Sequence, residues 1–202
     1  MMAGGATERS QKEQLILECA LDLLKETGHA GLSMRKLAER AGMRLSNLQY
    51  YFKSQDDVLK AMASQYFAAC TQQIIQLTED SPGATPRARC HLLILTGLQH
   101  GDGLSDMCRI FRELWAISSR NAAIRDHMAA YYRSFAALIS GFVLGDDADQ
   151  TRRDRLASLL LPFFEGYSVT ASAVPLPTAE LAEMLTDLAM SVAASADPPT
   201  NV

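Results

Sequence analysis

The sequence predicts an all-α protein: a small N-terminal three-helix unit with a helix-turn-helix layout, followed by a larger C-terminal helical bundle, about nine helices in all. Three observations carry this. Apolar residues recur at spacings of three and four along almost the whole chain. No alternating apolar and polar run of any length competes as a strand. Glycine, proline and asparagine punctuate the periodic runs where helices would start and stop.

The first helix is expected at about residues 9 to 27, because Leu15, Ile16, Cys19, Ala20, Leu23 and Leu24 share a face and Gly28 stands at a C-cap position. Leu32 and Ser33 then supply a staple and an N-cap for a short helix carrying Met34, Leu37, Ala38 and Ala41, which ends at Gly42. A third short pattern, Leu45, Leu48, Tyr51 and Phe52, stops at Lys53 and Ser54. Ser54 with Asp57 resembles a capping box, Asp replacing Glu, and opens a long helix from about Asp56 to Leu77. Two prolines and a glycine make residues 79 to 87 a loop, and further helices are expected at about 87–100, 105–119, 121–144, 150–173 and 179–195. The domains follow: 1–54 and 55–195, with residues 1–8 and 196–202 too poor in apolar side chains to pack and expected to be mobile.

Composition narrows the function. A 48% hydrophobic chain of 202 residues can build an ordinary globular core. No apolar run approaches the roughly 18 residues of a membrane span, and the start lacks the layout of a signal peptide, so a cytoplasmic protein without a membrane partner is expected. Cys19, Cys70, Cys90 and Cys108 are widely spaced with no CxxC pair. They read as small buried apolar residues, not as a disulfide framework or zinc site, and nothing nearby marks Cys90 or Cys108 as a reactive thiolate. The net charge is −4, but all five lysines lie in the first 60 residues. Between residues 33 and 53, Arg35, Lys36, Arg40, Arg44 and Lys53 face Glu39 alone, a local +4. Any contact with phosphate is expected there.

Two short helices joined by a tight turn behind a longer supporting helix are what a major-groove reader needs, since the second must be slim and polar on one face to enter a groove roughly 12 Å wide. With Leu45, Leu48 and Phe52 inward, Arg44, Ser46, Asn47, Gln49 and Tyr50 are left facing out. These side chains suit base edges and phosphates. Alone, they would equally serve as the polar face of a helix in any bundle.

The surrounding pattern resembles the tetracycline-repressor family: Ile16-Leu17, Ala20-Leu21, Leu23-Leu24 and Gly28, then Leu32-Ser33-Met34-Arg35, Leu37-Ala38 and Ala41-Gly42, then Leu48, Tyr50-Tyr51-Phe52, Ser54 and Asp57-Val58-Leu59. The match runs about fifty residues without a gap. The resemblance implies that Ser33, Tyr50, Tyr51 and Lys53 position phosphates, that Arg44, Ser46, Asn47 and Gln49 read bases, and that Arg35 is an additional anchor. The chain departs from the family's commoner pattern at Arg44, where a serine usually caps, at Ser46, often glycine, at Gln49, often aromatic, and at Gln55, often lysine. Arg44 and Gln49 are chemically able to read bases where the usual residues mostly cap or touch backbone.

The resemblance further implies a transcriptional regulator, more often a repressor, bound to palindromic double-stranded operator DNA and released by a small-molecule ligand. Reading two half-sites requires a homodimer. The family's four-helix interface would fall on the last two helices, through Leu156, Leu159, Leu160, Phe163, Tyr167, Leu181, Met184, Leu185 and Leu188; the same stripes would also serve as core. An unidentified inducer would sit among Phe111, Trp115, Tyr131 and Phe135, with Arg112 or His127 able to pair with an anion, although these aromatics also suit core filling. No GxGxxG, P-loop, HExxH or nucleophile-elbow pattern is present and the four histidines are scattered, so no catalytic residue, metal or cofactor is expected. A helical adaptor that dimerises without reading DNA is the other alternative, and salt-dependent binding to duplex DNA distinguishes it.

Overall fold

A computed structural model describes the backbone of residues 3–102 and 106–194, and side-chain surroundings for residues 9–99 and 111–194. Among these residues there are nine α-helices and no strand: α1 (Ala3–Gly31), α2 (Met34–Arg40), α3 (Leu45–Tyr51), α4 (Gln55–Glu79), α5 (Pro86–Asp102), α6 (Asp106–Ser118), α7 (Ala122–Leu144), α8 (Gln150–Thr170) and α9 (Thr178–Ala194). A 3-10 turn, Ala171–Ala173, follows α8 where the sequence suggested more α-helix. The expected tail at 196–202 lies outside the described residues, as do the first two of the eight residues expected to be mobile at the start, and the side chain of Cys108 lies outside the described side chains.

The chain divides into two compact units, Met1–Ala68 with Arg109–Ala129, and Ala69–Cys108 with Ala130–Val202. The first therefore holds more than the 1–54 domain anticipated from sequence. In it α1 packs on α2 and α2 on α3. Ile16, Ala20, Leu24, Leu37 and Leu48 are buried, together with Val58, Leu59 and Met62 of α4 and Leu114, Ile124 and Met128 of α6 and α7. The caps that the sequence suggested are made. Gly28 interrupts α1 at φ 64°, a left-handed conformation that a side chain would strain. Ser54 and Asp57 exchange backbone-to-side-chain hydrogen bonds of 3.0 and 3.2 Å before α4. Asn121 accepts from the Ile124 N–H and donates to the Asp56 carboxylate at 2.8 Å, fixing the start of α7 to the start of α4.

In the second unit α5, α8 and α9 pack on one another. Their core joins Leu93, Ile94 and Leu98 to Ile139 and Val143 of α7, Leu156 and Leu160 of α8, and Leu181, Leu185 and Ala189 of α9. Gly97 permits the approach of α5 to α8, because a Cβ there would stand 2.7 Å from the Phe164 ring. Of the described cysteines only Cys90 is fully buried, and its burial pushes the thiol pKa up to about 11; Cys19 and Cys70 are half-buried.

Candidate nucleic-acid interface

Helix α3 owes its position to few residues. Leu48 is completely buried and Phe52 nearly so, while Leu45 is half-buried, so one edge of the helix is anchored. Gly42 makes the turn from α2 at φ 64°, and the N–H groups of Ala41 and Met43 are satisfied by the carbonyls of Leu37 and Ala38. The backbone of the turn needs no side-chain support. Arg44 precedes α3 without a side-chain capping bond, so its guanidinium is not used to hold the helix start.

The opposite edge is open. Arg44, Ser46, Asn47, Gln49 and Tyr50 are all exposed, and Tyr50 is 68% exposed despite its aromatic ring. Tyr51 is half-buried, its ring edge-on to Tyr50 at 5.2 Å. Arg35 and Lys53 are exposed and make no ion pair among the described residues, nor does Lys36. Ser33 is half-buried and its hydroxyl accepts from the Lys36 N–H at 3.3 Å, so it caps α2 first. The local charge counted along the sequence is not all available: Arg40 reaches Glu26 through two hydrogen bonds of 2.7 and 2.5 Å. Sequence reading also missed a cation. Arg9 of α1 lies over the Tyr50 ring, 5.7 Å from its centroid, while pairing with Glu13. Forty-one positions separate Arg9 from Tyr50, and no local pattern announces such a contact.

The residues expected around a ligand fall into separate groups. In the first unit Phe111 and His127 pack against Phe67 of α4, with ring centroids 5.5 and 6.0 Å away, and the His127 ring is 3.0 Å from the Ser64 hydroxyl. Arg112 is half-buried and Trp115 is 48% exposed. In the second unit Tyr131 stacks on Phe135 at 5.3 Å, and burial pushes its phenol pKa upward. The Tyr132 hydroxyl, beside it, donates to Glu165 at 2.8 Å.

The stripes expected to form a dimer surface also divide. Leu156, Leu160, Tyr167, Leu181 and Leu185 are buried within the chain's own core. Leu159 and Phe163 are half-buried against it, and Phe163 stacks on Tyr167 at 6.0 Å. Met184 and Leu188, one turn apart on α9, remain 54% and 49% exposed.

Residues 16–62, which span this reader, match the family model for bacterial regulatory proteins of the tetR family. Over 183 residues, 91% of each chain, the sequence is 39% identical to the uncharacterized HTH-type transcriptional regulator in the dhlA 5' region of Xanthobacter autotrophicus. It is 42% identical over 53 residues to the tetracycline repressor protein class A from transposon 1721 of Escherichia coli, covering 26% of this chain and 24% of that one. The fold is similar to that of the multidrug binding protein EbrR, solved with imidazole, with a TM-score of 0.66 at 21% identity over 94% of this chain and 97% of that one. Among the described residues no helix is long and apolar enough to cross a membrane. A short helix with one anchored edge, the matching family model, and a relative matching nearly end to end carry the same conclusion: the chain belongs to the tetR family of helix-turn-helix, DNA-binding transcriptional regulators.

Proposed function

We propose that this regulator is a homodimeric repressor that reads a palindromic operator through α3 and leaves it when a small molecule binds. The observation that carries the reading is the division of α3: Leu48 buried, and Arg44, Ser46, Asn47, Gln49 and Tyr50 exposed together on a helix slim enough for the major groove. Arg44 is the base reader for guanine, with Asn47 and Gln49 suited to adenine. Arg35, Lys53 and the tyrosine hydroxyls hold phosphates, while Ser33 serves chiefly by fixing α2. One such reader makes too few contacts to select a genomic site, and two readers about one helical turn, ~34–36 Å, apart solve this. Of the apolar residues expected at the interface, Met184 and Leu188 of α9, with Leu159 and Phe163 of α8, are the ones the chain's own core leaves for the partner subunit.

The ligand is a small molecule recognised by aromatic and polar residues of one unit or the other: Phe111, Arg112, Trp115 and His127 in the first, or Tyr131 and Phe135 in the second. The name multidrug binding protein borne by a protein of similar fold supports a ligand-responsive reading. The name tetracycline repressor, borne by a relative of the reader segment, supports repression. Release follows if the ligand favours an arrangement of α4 that changes the separation of the two readers, by no more than its difference in affinity for the two states.

The test is selection of binding sites from random duplex DNA with the purified protein, repeated with Arg44→Ala and Asn47→Ala. A palindrome is expected, with relaxed preference at particular bases in each variant. The selected site over a reporter promoter should lower its output. No enrichment at low salt would refute the reading in favour of an adaptor.

A further inference from the structure

Arg89 of α5 and Arg153 of α8 line a cleft of about 560 Å³ in the second unit, with Ala137, Leu138 and Phe142 of α7 on its apolar side. Both arginines are half-buried, and both lean on the end of α7. Arg89 donates from Nε and Nη2 to the Val143 carbonyl, at 3.3 and 3.1 Å, and from Nη1 to the Ala84 carbonyl at 2.9 Å. Arg153 donates from Nη2 to the Gly145 carbonyl at 2.6 Å and from Nε to the Ala148 carbonyl at 3.1 Å.

A single arginine in this position would be a capping residue, since a helix C-terminus carries about half a negative charge. Two guanidiniums exceed that, and among the described residues neither has a carboxylate within ion-pair distance. Asp146 lines the same cleft but is exposed and pairs with neither. A guanidinium carries five N–H donors, and the carbonyls engage only part of each set. Among the described residues Arg153 Nη1 donates to no protein acceptor. It stands 3.3 Å from where a Cβ on Gly141 would lie, so the glycine lets it approach the α7 backbone closely.

We propose that this cleft binds a small organic carboxylate, its charged group on Arg89 and Arg153 and its hydrocarbon part against Ala137, Leu138 and Phe142. Guanidinium geometry matches a carboxylate in two-point hydrogen bonding. The apolar wall selects an organic acid over an inorganic anion, and Asp146 opposes a more highly charged ligand such as phosphate. The site is distinct from the aromatic residues of α6 and α7, and binding there can be measured without DNA.

Calorimetric titration of the full chain with sodium benzoate and with sodium octanoate tests this, with inorganic phosphate as the competing anion. At least one carboxylate is expected to saturate one site per chain, undisturbed by phosphate, and Arg153→Gln should weaken it by about tenfold or more. Because Arg153 also braces the end of α7, Ala137→Trp provides a second variant: it fills the cleft from an exposed position, leaves both arginines in place, and should abolish binding without lowering the melting temperature. The proposal is overturned if neither carboxylate binds, if phosphate displaces them, or if Ala137→Trp binds as the unmodified chain does.

Discussion

Helices α3 and α9 both carry an apolar edge, and they spend it differently. The short helix α3 fully buries only Leu48 and exposes polar side chains, which cost nothing to leave in water. The long helix α9 buries Leu181, Ala182, Leu185, Thr186, Ala189 and Ala193, yet leaves Met184 and Leu188 exposed. On α3 the exposed residues are the proposed functional surface because of their chemistry. On α9 they are a candidate surface because the core did not take them.

The largest effects should fall inside that second core. Leu160→Ala removes a fully buried side chain and should cost about 2–5 kcal/mol in denaturant unfolding. Leu188→Ser should leave unfolding of dilute protein nearly unchanged and weaken self-association in sedimentation. If Leu188→Ser destabilises as much as Leu160→Ala at every concentration, α9 has no surface to spare for a partner, and the contrast with α3 disappears.

Next comes the reader itself. Arg44→Ala should lower discrimination at one base position by about 1–3 kcal/mol, measured as the affinity ratio between selected and substituted sites, with no change in melting temperature. The absence of a capping bond from Arg44 makes that separation possible. A fall in melting temperature alongside the loss of discrimination would mean that Arg44 helps hold α3 after all.

What could be read from the sequence follows how local each constraint is. The turn at Gly42, the Ser33 cap and the Ser54–Asp57 box are settled by residues within a few positions of one another, and helix period fixed the inward face of α3. Along α8 and α9 the same periodicity identified residues that avoid water without saying what covers them. Leu156 and Leu185 are covered by the chain itself; Met184 is not. Long-range pairs left no trace at all. The contacts of Arg9 with Tyr50 and of Asn121 with Asp56 depend on how distant helices meet. The Val143 carbonyl that receives Arg89 likewise belongs to a distant helix, so that arginine looked like any solvated charge.

A smaller effect separates two serines. Ser33→Ala removes the cap of α2 and should cost about 1 kcal/mol of stability. Ser46→Ala, on the exposed edge of α3, should leave the melting temperature unchanged and alter only the selected DNA sequence. Equal effects on stability would show that the exposed edge of α3 carries structural weight.

The smallest effect tests which charges are free. Arg40, hydrogen-bonded to Glu26, holds that carboxyl below the usual carboxylate range. Because the folded pKa is lowered, the stabilising contribution is present above the ordinary carboxylate pKa and is lost as pH falls through the lowered value. Both groups are exposed, so the contribution is small and salt-sensitive. Melting curves of the wild type and Arg40→Gln should differ slightly near neutral pH and converge in acid. On DNA, Lys53→Ala should reduce the slope of log affinity against log salt by about 0.9, as one phosphate contact is lost. Arg40→Gln should leave the slope unchanged, because Arg40 is committed to Glu26. If both variants lower it equally, Arg40 gives up Glu26 for phosphate, and DNA binding itself must then raise the Glu26 pKa toward its ordinary value, with proton uptake on binding at acid pH as the signature.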